Sequence, residues 1–227
     1  MSNEKSHDWK SYEKPAVTVD MVIFAIQNGE LKVLLVKRAI EPATGSWTLP
    51  GGFVHIEESL DDAAKRVLHD KTGVENIYLE QLYTFGDPKR DSRGRVITVS
   101  YIALIKFGEV SLKSSSDISE VKFFSVKKIP PLAFDHTKIF SYALKRLEWK
   151  FEYTPVAFSL LRKEFALSEL QGIYETVFDK KFDKRNFVKK ILSLGILKSE
   201  GRKTDVSHRP PMLYSLKKQT PNIIEII

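Results

Sequence analysis

The fold is decided by the stretch Gly52-Phe53-Val54-His55-Ile56-Glu57-Glu58-Ser59-Leu60-Asp61-Asp62-Ala63-Ala64-Lys65-Arg66-Val67-Leu68-His69-Asp70-Lys71-Thr72-Gly73-Val74. Five residues separate Gly52 from Glu58, seven separate Glu58 from Arg66, and the Gly73-Val74 pair closes the frame. Leu60, Ala63, Ala64, Val67 and Leu68 fall at i, i+3, i+4, i+7 and i+8, the spacing of one apolar helical face. Gly73 ends that helix, since glycine takes a left-handed cap without a Cβ penalty. Trp47-Thr48-Leu49-Pro50-Gly51-Gly52 leads into the frame and holds a Pro-Gly-Gly turn.

Working outward, Val17 to Ile26 and Leu31 to Lys37 are β-branched, apolar runs joined by Gln27-Asn28-Gly29-Glu30. Asn-Gly supplies the positive φ angles of a tight turn, so the two runs predict a hairpin. Downstream, Ile77 to Phe85 and Val96 to Ile105 predict strands around a polar loop from Asp87 to Gly94, and Lys122 to Ser125 a short strand. Asp135 then caps a helix carrying Ile139, Phe140, Ala143, Leu144 and Leu147. Strands mixed with one or two helices through Lys150 make an α+β domain.

The remainder follows a different pattern. Ser168 and Gln171 stand at capping-box spacing, and Leu170, Ile173, Tyr174 and Val177 line one face of the helix they open. A second helix starts at Asp183, with Phe182 and Phe187 spaced as a hydrophobic staple, and stops at Gly195. Ile196-Leu197, a basic loop with Arg202, Lys203 and Arg209, and the strand-like Met212 to Leu216 follow. Helix, turn, helix, strand, loop, strand is the order of a winged helix. In the second helix Phe187, Val188, Ile191 and Leu192 form the face expected to be buried. Lys184, Arg185, Asn186, Lys189 and Lys190 crowd the exposed face, where Arg185 and Asn186 suit base edges and the lysines suit phosphates. The expected division is a tail over 1–14, one domain over 15–150 and a small basic domain over 151–227.

Charge supports that division. Of the 227 residues, the first 150 hold 22 Lys and Arg against 20 Asp and Glu, whereas the last 77 hold 14 against 9. A small basic module behind a near-neutral domain suits a polyanion partner. There are no cysteines, which excludes disulfides, thiolate metal sites and a cysteine nucleophile. The histidines are scattered without ligand spacing. No apolar run approaches the roughly 18 residues of a membrane span, and Met1 to Pro15 is polar, so neither membrane insertion nor secretion is expected.

The Gly52, Glu58, Arg66, Gly73-Val74 frame resembles the Nudix box, and residues 15 to 150 resemble a Nudix hydrolase domain. Members of that family cleave nucleoside diphosphates linked to another moiety, usually with magnesium or manganese, using glutamates clustered on the helix. Those places are held here by Val67, Asp70 and Lys71. Three glutamates would carry three negative charges; valine, aspartate and lysine together carry none, and Val67 cannot coordinate a metal. The resemblance implies that Glu58 and Arg66 are structural ties, that the box is degenerate, and that no catalytic residue or metal site is assigned. The pocket is expected to persist, with Lys37, Arg38, Arg90 and Arg93 meeting phosphates, Trp47, Phe53 and Phe85 packing on a base or sugar, and Gly51 and Gly52 lining it.

A degenerate Nudix domain followed by a winged helix resembles the Nudix-related transcriptional regulators. Ala133-Phe134-Asp135-His136, Leu167-Ser168-Glu169-Leu170-Gln171, Asp183-Lys184-Arg185-Asn186-Phe187 and Arg209-Pro210-Pro211 near Leu213-Tyr214 carry the likeness over nearly the whole chain. The resemblance implies a mixed-sheet α/β/α Nudix-like domain that senses a ligand and dimerises, followed by a DNA-binding winged helix. It implies a cytoplasmic homodimer that binds double-stranded DNA at a palindromic operator and is most simply a repressor. The effector expected is ADP-ribose, a nucleotide sugar or a pentose derivative. No cofactor is required, and Mg2+ or Mn2+ enters only with residual hydrolysis. The alternative is a Nudix pyrophosphohydrolase acting on ADP-ribose or a related nucleoside diphosphate derivative; a third is a protein-interaction module.

Overall fold

The computed structural model describes residues 9–75, 77–109, 111–112, 115–202 and 210–226. Strand β1 (Ala16–Gln27) turns into β2 (Glu30–Arg38) through Asn28 at φ 52° and Gly29 at φ 71°. Two successive left-handed residues match the twist of the flanking strands, which is why Asn-Gly sits here. Short strands β3 (Trp47–Thr48) and β4 (Gly51–Phe53) lead to helix α1 (Leu60–Thr72). Strands β5 (Tyr78–Phe85), β6 (Val96–Lys106) and β7 (Ile118–Ser125) and the long helix α2 (His136–Tyr153) complete the first domain. β7 begins four positions before the expected Lys122, because the whole of it pairs antiparallel with β2.

The sheet runs β3-β2-β1-β6-β5, with β4 also on β1 and β7 also on β2. Among the described residues the β1–β6 ladder is parallel and the other strand ladders of this sheet are antiparallel. β1 is buried on both faces, and its alternation assigns each face a helix. Val19, Met21, Ile23 and Ala25 pack with Ala63, Ala64, Val67 and Leu68 of α1. Val22 and Phe24 pack with Ile139, Phe140, Ala143 and Leu147 of α2 on the other side. The result is the expected α/β/α sandwich. Ser59 caps α1 by accepting from the Asp62 N–H at 3.2 Å, and Gly73, at φ 67°, closes it.

The second domain follows a 3-10 segment, Pro155–Leu160. It holds β8 (Phe165–Ala166), α3 (Leu167–Phe178), α4 (Lys184–Ser193), β9 (Leu197–Arg202) and β10 (Met212–Leu216), with the three strands antiparallel in the order β8-β10-β9. Helix α2 runs past Lys150 to Tyr153, so it belongs to both domains. Its Leu147 and Phe151 share one core with Tyr174 and Phe187, and the Phe151 and Tyr174 rings lie 5.4 Å apart. Among the described residues no helix is long and apolar enough to cross a membrane.

Local expectations at two helix starts and on one helix face need correction. Ser168 does not cap α3: the β8–β10 pairing fixes Ala166 at the helix entrance, and Glu169 accepts from the Ala166 N–H at 2.7 Å. Gln171 instead spans the turn, donating to the Phe182 carbonyl at 3.0 Å and to Glu175 at 2.9 Å. Asp135 stands at the start of α2 but makes no side-chain cap, because its carboxylate is engaged by Arg90. Leu192 is not on the buried face of α4; it is 44% exposed, while Phe187 and Ile191, one turn apart, carry the packing.

Candidate effector pocket and nucleic-acid interface

A pocket of about 200 Å3 opens where β1, β2 and β4 meet the loop after β5 and the residues before α2. Close approach of β4 makes it possible. A Cβ on Gly51 would lie 2.2 Å from Asp20 Oδ1 and 2.9 Å from the Val19 carbonyl, so only glycine fits there. Of the expected residues, Arg38, Gly51, Gly52, Phe53, Arg90 and Arg93 line the pocket.

Lys37, Trp47 and Phe85 are not among its lining residues. Lys37 and Trp47 are cross-strand partners, alternate to Val36 and Arg38 and therefore on the opposite face of the sheet. The Lys37 ammonium lies 5.9 Å from the Trp47 ring, which itself meets the Phe124 ring edge-on at 4.7 Å. Phe85 packs against Tyr83 and Tyr142.

The three arginines differ in their engagements. Arg90 is buried and forks onto Asp135 at 2.8 and 3.0 Å, with a further bond to Asp20 at 3.2 Å. It lines the pocket as expected, and it also acts as a brace, its charge matched by the buried Asp20 and the part-buried Asp135. Arg93 forks onto Asp91 at 2.7 and 3.0 Å, which holds the Asp91 carboxyl below its ordinary range and raises the guanidinium. Arg38 donates to the Pro42 carbonyl at 2.7 Å and the Glu41 carbonyl at 3.3 Å. Burial, and then the neighbouring Arg93 charge, lower the Arg38 pKa, the signature of two cations facing one space. Among the described residues each of these last two makes two side-chain hydrogen bonds, against five N–H donors on a guanidinium.

Aromatic rings complete the mouth. Arg93 lies 5.3 Å from the Phe53 ring and 6.0 Å from Phe134, and Arg38 lies 5.5 Å from Phe134. Phe134 takes φ 58°, a strained conformation for a residue with a large side chain, and that strain presents its ring beside the arginines. Thr18 also lines the pocket, and its buried Oγ1 has no hydrogen-bond partner among the described residues. Such an orphan is a donor and acceptor awaiting a polar ligand or water.

His136 forms the floor. Its Nδ1 accepts from the Leu49 N–H at 2.9 Å, which leaves the ring proton on Nε2, 3.7 Å from Asp20. Burial lowers its pKa against the opposing pull of Asp20 and Asp135. Thr18, Asp20, Asp91, Asp117, Phe134 and His136 were not anticipated as pocket residues. Asp20 carried a usable signal, a lone carboxylate inside an apolar strand.

The degenerate box does not fit a divalent cation. Val67 is 3% exposed, and its Cγ2 lies 3.3 Å from where a Gly52 Cβ would stand, so a methyl occupies the ligand position. The Lys71 ammonium, also buried, donates to Ser115 Oγ at 3.1 Å. Asp70 lies outside, near His69 at 3.8 Å. Glu58 is taken by Arg66 at 2.5 and 3.0 Å and by the His55 N–H at 2.7 Å, which together depress its pKa to about 2. Arg66 also donates to the Phe53 carbonyl at 3.0 Å, tying the loop to α1. Among the described residues no three His, Asp or Glu side chains converge to hold a metal.

The candidate nucleic-acid surface is built on α4. Asp183 accepts from the Asn186 N–H at 2.9 Å, and the Phe182 and Phe187 rings stand 5.9 Å apart across the cap. Glu175 receives Gln171, Lys181 and the Phe182 N–H, so the turn before α4 is fixed and the carboxyl is lowered to about 2. Lys184, Arg185, Asn186, Lys189 and Lys190 are all exposed, and Arg202 is exposed at the end of β9. Lys203 and Arg209 lie outside the described residues.

Two family models match the chain. Residues 14–143 match the model of the NUDIX domain, and residues 157–216 match the NrtR DNA-binding winged helix domain. An ADPR responsive transcriptional repressor of Acinetobacter baylyi is 37% identical over 207 residues, 89% of this chain and 82% of that protein. The crystal structure of Shewanella oneidensis NrtR with a 27mer DNA superposes with a TM-score of 0.78 at 38% identity, covering 88% of this chain and 93% of the other. The NUDIX domain of the same Shewanella protein, crystallised with ADP ribose, is 40% identical, with a TM-score of 0.56 over 62% of this chain and 94% of the other.

Proposed function

The chain belongs to the NrtR regulators, in which a NUDIX domain precedes an NrtR DNA-binding winged helix, and from that premise we infer that it is an ADP-ribose-responsive transcriptional repressor. It binds operator DNA through the winged helix and ADP-ribose through the NUDIX domain. The observation that carries this reading is the pairing of an intact pocket with a degenerate box: Arg38, Arg93, Phe53 and Phe134 surround the cavity while Val67 and Lys71 stand in the metal positions.

In the proposed complex the Arg38 and Arg93 guanidinia receive the pyrophosphate, and Phe53 and Phe134 shield it and pack on a ribose. The pocket, at about 200 Å3, lies below the roughly 300–1,000 Å3 of complete ligand sites, so the nucleotide extends over its rim. No metal or other cofactor is required for this binding. Arg185 and Asn186 read base edges, while Lys184, Lys189, Lys190, Arg202, Lys203 and Arg209 neutralise phosphates. The protein acts in the cytoplasm as a homodimer on a palindromic operator, with recognition helices about 34 Å apart.

ADP-ribose relieves repression by binding the DNA-incompetent arrangement more tightly than the competent one. Helix α2 is the natural lever: its first turn is tied to the pocket by Asp135 and His136, and its last turn is buried in the winged helix at Phe151. The test is anisotropy of labelled upstream intergenic DNA with ADP-ribose added, and nucleotide products assayed in the same sample. Specific binding released by intact ADP-ribose is expected. Metal-dependent hydrolysis without specific DNA binding would overturn the reading.

A further inference from the structure

A cleft of about 1230 Å3 opens between the two domains, apart from the NUDIX pocket. One wall is Tyr78 and Glu80 of β5, with Lys150 of α2; the other is the β9–β10 ribbon and the connecting segment from Thr154 to Phe165. Its two inner carboxylates are already engaged. Glu80 binds Lys150 Nζ at 2.6 Å and accepts from the Tyr78 hydroxyl. Glu200 accepts from Lys198 at 3.0 Å and from Ser215 at 2.5 Å.

Beyond these pairs the lining carries the exposed Arg162, Lys163 and Lys218, and Lys217, whose ammonium donates to the Gly195 carbonyl at 2.5 Å but keeps its charge, against the carboxylate of Glu164. Each exposed cation alone is worth little. Gathered in a concavity with apolar walls from Val156, Phe158 and Leu161, they repel one another, and an anion bound among them relieves that repulsion and is held by several charges together. We propose that this interdomain cleft is a second ligand site, for a multiply charged phosphate compound such as a nucleoside triphosphate or a free polyphosphate. A ligand there touches both domains, so it biases their arrangement and thereby operator affinity. The proposal does not depend on which ligand occupies the NUDIX pocket.

The test titrates the full-length protein, saturated with ADP-ribose in magnesium-free buffer of low salt, with inorganic tripolyphosphate by calorimetry. One saturable site per chain is expected, and the double variant Arg162→Ala, Lys163→Ala weakens it by about tenfold or more with Tm unchanged. ATP binding more tightly than tripolyphosphate assigns a nucleotide, and the reverse a polyphosphate; both support the site. No saturable binding, or equal binding by wild type and variant, overturns it. Unchanged tripolyphosphate binding with weakened operator binding also overturns it, because the cations then serve the DNA backbone.

Discussion

His136 is kept neutral by burial, and that choice has a pH consequence. Its pKa lies below the ordinary 6.5, so the unfolded chain takes up a proton that the folded chain refuses. Stability is therefore full about one unit above pH 6.5 and falls as the pH drops through it. We expect Tm to decline between about pH 7.5 and about pH 5.5, and His136→Gln to flatten that decline; identical slopes would remove His136 from the acid response. Arg93→Ala should weaken ADP-ribose binding by about tenfold, one charge-assisted contact, and lower Tm as well, since it strips the buried Asp91 carboxylate of its partner. Calorimetry at constant salt measures this. Arg38 and Arg93 came from the Nudix resemblance, which implies cations around the pocket, and both line it. The brace was not legible in the sequence: Arg90 lies 70 residues from Asp20 and 45 from Asp135, and nothing local marks a contact that only the closed sheet creates.

At the scale of elements, α4 is held by its cap and staple, which leaves its basic residues exposed for the proposed operator contact. Asp183→Ala should cost about 1 kcal/mol of stability through the lost cap, measurable by urea unfolding. Arg185→Ala should leave unfolding unchanged and weaken operator binding by about 1–3 kcal/mol; an unchanged operator affinity would remove Arg185 from the interface. These features were readable because caps and staples are short-range: Asp183, Phe182 and Phe187 lie within one turn. Ser168 misled for the same reason. Its spacing to Gln171 imitates a capping box, but the two-residue strand β8, invisible without its partner β10, sets the helix cap two residues earlier, at Ala166. The α2 lever carries its own prediction. Asp135→Asn removes a charge from the Arg90 brace, so ADP-ribose should still bind but displace operator less well; displacement equal to wild type would argue that α2 does not carry the signal.

For the whole molecule, the continuous core from Val22 and Phe24 through Leu147 and Phe151 to Tyr174 and Phe187 means that the two domains cannot rearrange without repacking. Polar contacts add to this, including Thr176 donating to the Gly29 carbonyl at 3.3 Å and Lys127 with Asp179 at 2.5 Å. Coupling between effector and operator is then a difference in affinity between two packings. The domain order and the charge imbalance made the two-domain plan legible from sequence. The shared core did not show, because Leu147 and Phe151 read equally well as the last turns of a helix buried in the first domain. Linkage makes the central claim testable from either site. The most direct measurement is the Kd of ADP-ribose on the unbound protein and on its preformed operator complex. The account predicts weaker binding to the complex, by the same factor by which ADP-ribose weakens operator binding; equal affinities would contradict it.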